Sequence, residues 1–103
     1  FQYYNLVRRD NLRDFMIEYS DRILFGTDIS RWDEDRTASY VPRYSNCFRI
    51  LETDEHVDKG FFGGDKIQGL KLPAQALENI YFKNAARIYP RVRAQLGRLG
   101  YTV

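Results

Sequence analysis

Leu12, Phe15, Met16 and Tyr19 recur at spacings of three and four, the repeat of a helix with one apolar face. The pattern predicts a helix over residues 11–19, with Asp10 as its N-cap. Ser20 and Asp21 then punctuate the chain, and Ile23, Leu24 and Phe25 run unbroken into Gly26, Thr27 and Asp28. Apolar residues without alternation predict a strand buried on both faces, as in a parallel sheet. Helix, tight turn and buried strand make half of an α/β repeat.

Residues 29–40 are polar and charged and read as a long loop. Beyond Pro42 a helix is expected over 43–51, with Phe48, Ile50 and Leu51 as its apolar content. Residues 53–71 hold Gly60, Gly63, Gly64 and Gly69 and read as a loop, with short paired extended pieces around Phe61 and Phe62 and around 68–70. The clearest helix opens at Pro73, which suits a first turn, and Ala76, Leu77, Ile80 and Tyr81 form its apolar stripe. Asn84 is expected to interrupt or recap it before a further turn through 85–89. Pro90 then breaks it, and a short helix near 92–96 ends at Gly97 or Gly100.

Only one segment in this inventory reads as a firm strand, and a strand buried on both faces needs neighbours on both edges. Left unpaired, each buried backbone group costs about 1–3 kcal/mol. The expectation is therefore a part of a larger α/β body. The chain has 103 residues, with seven Phe, eight Tyr and one Trp, more aromatic surface than a small module needs. A net charge of +2 is too small to argue for nucleic acid. Arg87, Arg91, Arg93 and Arg98 are the nearest thing to a basic patch and read as a solvated helix face. Cys47 stands alone, which rules out an internal disulfide and a cysteine metal cluster and leans towards a reducing, cytoplasmic setting. No apolar stretch approaches the ~20 residues of a membrane helix. No secretory signal is visible, and the start at Phe1 without an initiator Met suggests that the true N-terminus lies upstream.

Ligands of parallel α/β sheets bind beyond the C-terminal ends of the strands, where Asp28 stands. A carboxylate there can ligate a metal or take a proton from a metal-bound water. It can equally cap the next segment or begin a turn. His56, the single histidine, lies in a polar stretch and reads as solvated. Asp33, Glu34 and Asp35 lack the alternating oxygen ligands and turn glycine of a calcium loop. Gly63 and Gly64 lack the strand-before, helix-after context of a phosphate loop.

Two blocks carry a resemblance. Residues 21–28 (DRILFGTD), with a helix before them, resemble strand 8 of the amidohydrolase superfamily, and more closely its lactonase and non-oxidative decarboxylase group. Residues 69–73 (GLKLP) and 80–89 (IYFKNAARIY) resemble that group's closing helix, with its Leu-Pro start and Tyr-x-x-Asn-Ala-x-Arg run. The resemblance implies a C-terminal fragment of a (β/α)8 TIM barrel: one helix, strand 8, an insertion and the closing helices. It implies a divalent metal, zinc foremost, with Asp28 both metal ligand and proton acceptor for the water that attacks an ester, lactone or amide. Arg31, Trp32 and Tyr40, in the loop after Asp28, are candidates for contact with a small-molecule substrate. The family's His-x-His and further His ligands have no counterpart here, so the chain by itself should be inactive, with the rest of the barrel or self-association as its partner. Two alternatives stand beside this reading: a non-oxidative decarboxylase on the same barrel, and a small non-catalytic binding or assembly module.

Overall fold

The computed structural model describes residues 8–27, 36–58 and 66–103, with the backbone alone described for residues 36–40 and for Asp58. Helix α1 spans Arg9–Glu18 and a 3-10 turn spans Ser20–Arg22; helix α2 spans Arg36–Glu52. Strands β1, His56–Asp58, and β2, Lys66–Gln68, pair antiparallel with His56 opposite Gln68 and Val57 opposite Ile67. Helix α3, Ala74–Glu78, passes through a π-helical stretch, Asn79–Lys83, into α4, Asn84–Ile88; α5 covers Pro90–Arg98. No helix among the described residues is long and apolar enough to cross a membrane.

This architecture overturns the barrel-fragment expectation. The described residues are mostly helical, and their one sheet is a two-stranded antiparallel hairpin rather than part of a parallel sheet. The described residues form a small helical domain. Residues 23–27 form no strand: the Phe25 N–H donates to the Ile80 carbonyl at 3.1 Å and the Ile23 carbonyl accepts from the Asn84 side chain at 2.8 Å. Helical partners thus take the groups that a neighbouring strand was expected to take. The segment is not buried on both faces either, because Leu24 is exposed.

The core is built where the hairpin and α3 close on the end of α2: Ile50, Leu51, Val57, Ile67, Leu70, Leu72, Ala76 and Ile80 are all buried. The last carbonyls of a helix lack intrahelical partners. Here residues 70–72 supply donors, with the Leu70 N–H on the Ile50 carbonyl at 2.7 Å and the Leu72 N–H on the Leu51 carbonyl at 2.9 Å. The Lys71 N–H bonds the Thr53 carbonyl at 3.0 Å, and Lys71 takes a left-handed φ of 43° at this turn. Gly69 is required beside it: a Cβ there would lie 1.9 Å from the Thr53 carbonyl oxygen. From the other side α1 clamps the same segment, with Arg9 Nε on the Gly69 carbonyl at 3.0 Å and Arg13 Nε on the Leu70 carbonyl at 2.8 Å.

Several element boundaries differ from expectation. Asp10 does not cap α1; it lies in the first turn, and Arg8 occupies the cap position without a side-chain hydrogen bond. Helix α2 begins at Arg36, so the end of the expected loop is helical and Pro42 sits inside the helix. A helix-interior proline lacks a donor and crowds the carbonyl four residues back; the burial of Ile50 and Leu51 downstream offsets that cost. His56 belongs to β1 rather than to a loop and is exposed. Helix α5 starts at Pro90 itself, the first-turn position proline tolerates, and ends before Gly100, whose φ is +90°. Phe61 and Phe62 lie outside the described residues.

Candidate functional site

The segment leading to Asp28 is held by side chains from the π stretch and α4. Asn84 is buried, and its Nδ2 donates to the carbonyls of Ser20 at 2.6 Å and Ile23 at 2.8 Å. Asn79 Nδ2 reaches the Ser20 hydroxyl at 3.2 Å, and Arg87 Nη2 donates to the Asp21 carbonyl at 2.5 Å. The π geometry makes the remaining link. In an α-helix the Asn84 N–H would bond the Ile80 carbonyl; here it bonds the Asn79 carbonyl, one residue further back. The Ile80 carbonyl is thereby free for the Phe25 N–H. Residues 23 and 25 both turn a polar backbone group towards this helix, the two-residue repeat of an extended chain. Leu24 and Gly26 are exposed and make no backbone hydrogen bond among the described residues.

On the other side, Phe25 packs into an aromatic group. Its ring lies 5.5 Å from Phe48, 5.5 Å from Tyr81 in an edge-to-face arrangement, and 6.1 Å from Tyr44. Such centroid separations are those of favourable ring pairs. Tyr44 and Phe48 stay exposed enough to present an aromatic face. Tyr81 Oη donates to Glu52 Oε1 at 2.9 Å. Burial, followed by that hydrogen bond and the Glu52 charge, pushes the Tyr81 phenol well above the ordinary tyrosine range. Burial likewise pushes the half-buried Cys47 thiol up.

Asp28, Arg31 and Trp32 lie outside the described residues, as do Asp33, Glu34, Asp35, Gly63 and Gly64. Tyr40 falls in the first half of α2 rather than in a loop, with only its backbone described. A catalytic zinc needs three protein ligands and commonly a fourth position for water. No group of three His, Cys, Asp or Glu that could hold a metal exists among the described residues, so they do not by themselves fit such an ion. Sequence reasoning gave Asn84 only a packing or capping role; its grip on two carbonyls some sixty positions away leaves no periodic signal. The hints available are its residue type, since asparagine is a poor helix former at an interior helical position, and its place in the resembling Tyr-x-x-Asn-Ala-x-Arg run.

Scans against protein-family profiles, curated proteins and solved structures each returned no match.

Proposed function

We propose that the chain contributes a catalytic carboxylate, Asp28, to a metal-dependent hydrolase acting on an ester, lactone or amide, and that it does so as one part of an assembly. The observation that carries this reading is the meeting of the two resembling blocks. Asn84 and Arg87 of the second block hold the carbonyls of Ser20, Asp21 and Ile23 in and beside the first. Residues resembling one superfamily at two distant places in the chain are thus tied together within the described residues. Asp28 would give one oxygen ligand to a zinc-type ion and accept a proton from the attacking water. With one histidine and one cysteine in the chain, the other ligands come from further polypeptide.

The aromatic face of Tyr44 and Phe48 favours a second reading, a non-catalytic assembly module that associates through those rings. Native mass spectrometry with added zinc, paired with lactone and aryl-ester turnover, separates the two. The hydrolase reading expects an assembled species that retains zinc and turns over, and an Asp28→Asn variant that still assembles but loses turnover. Turnover unchanged by Asp28→Asn overturns the role of Asp28. Association with neither zinc retention nor turnover leaves the assembly module as the function.

A further inference from the structure

Charge is segregated along this chain. All 14 acidic residues lie at or before Glu78, whereas Lys83, Arg87, Arg91, Arg93 and Arg98 follow it with no acidic residue among them. The fold gathers three of these cations. Lys83, Ala86, Arg87, Arg93, Thr102 and Val103 line a cavity of about 310 Å³ between the end of the π stretch, α4, α5 and the residues after α5. The cations there are not equivalent. Lys83 Nζ is held by Glu78 Oε2 at 2.5 Å, so its charge is compensated. Arg87 spends one guanidinium nitrogen on the neutral Asp21 carbonyl, and Arg93 makes no ion pair among the described residues.

We propose that this cavity binds the phosphate group of a small soluble phosphate monoester. Two guanidinium groups without an ion pair among the described residues match a group that carries roughly −1.5 to −2 at neutral pH. Guanidinium forks suit a phosphate's oxygens, since two parallel N–H donors can meet two oxygens of one group. The Thr102 hydroxyl adds a donor that can rotate to suit its acceptor. The site is open to solvent on one side, and Arg93 is exposed, so binding weakens with ionic strength.

Inorganic phosphate and glycerol 3-phosphate are the probes, titrated against the full chain while backbone amide resonances are followed. The expected result is saturable shifts confined to residues around Lys83, Arg87, Arg93 and Thr102, with the two phosphates competing. Arg93→Ala should weaken binding by roughly tenfold or more. Arg91→Ala, an exposed cation on the same helix outside the cavity, should change it less than about twofold. Circular dichroism checks that both variants keep the helical fold. Equal losses in the two variants overturn the proposal in favour of diffuse attraction by a basic helix. An absence of saturable shifts, or retention only on phosphatidic acid vesicles, also overturns it.

Discussion

Replacing Asn84 tests how the segment before Asp28 is held. In Asn84→Ala two hydrogen bonds disappear, to the carbonyls of Ser20 at 2.6 Å and Ile23 at 2.8 Å. Each contributes about 0.5–1.5 kcal/mol net. Ser20 is buried, so its carbonyl is left without the donor and without easy access to water, whereas Ile23 is only half-buried and water can reach it. The truncation also opens a small void at a residue 1 % exposed. Against these losses alanine returns about 0.5 kcal/mol of helix propensity. The balance is a destabilisation of about 2 kcal/mol, read from the midpoint of urea unfolding followed by circular dichroism. Asn84→Asp sharpens the test, because it keeps the shape while exchanging the donors for a carboxylate facing two carbonyl oxygens. It should cost more than the alanine variant. Hydrogen exchange gives a local readout: the Phe25 amide, bonded to the Ile80 carbonyl, should lose protection in both variants. If Asn84→Asp lies within ~0.5 kcal/mol of the parent, the described grip does not stabilise the fold.

Other predictions concern the hairpin junction and the aromatic face. Gly69→Ala places a Cβ 1.9 Å from the Thr53 carbonyl oxygen and 3.1 Å from that of Arg49, both backbone atoms, and should destabilise by about 3 kcal/mol or more in the same unfolding assay. Ultraviolet titration should find a tyrosine that stays protonated beyond the ordinary range, with Glu52→Gln moving it back towards that range. Because the folded state holds this phenol's proton more tightly than the unfolded chain does, its stabilising contribution is complete below about pH 10 and is lost as pH rises from there. A thiol-reactive dye should modify Cys47 slowly at neutral pH and much faster in denaturant, since burial keeps the thiol protonated and shielded. Equal rates in the two conditions would contradict its half-buried position.

Local rules carried the reading wherever the chain's own neighbours decide the outcome. Helix α1 and the apolar stripe of Ala76, Leu77, Ile80 and Tyr81 were legible because helical periodicity acts within a few residues. The run Ile23, Leu24, Phe25 was misread because apolarity reports that a segment seeks cover and not what covers it. A strand partner and a helix that frees a carbonyl satisfy the same backbone groups, and only long-range packing selects the helix here. Pro42 misled for a related reason: its local penalty is real, and the buried residues further along α2 outweigh it.

The candidate site divides the same way. Residue types and their order singled out Asp28 and the two resembling blocks before any coordinates. That Asn84 and Arg87 bind one block to the other, and that Tyr81 meets Glu52 beside Phe25 and Phe48, are contacts between positions far apart in the chain. Sequence by itself determined which segments carry helical periodicity and how charge is distributed. Tertiary structure alone decided which backbone groups find partners across those distances, because hydrogen bonds and burial depend on proximity in space, which a one-dimensional pattern does not encode.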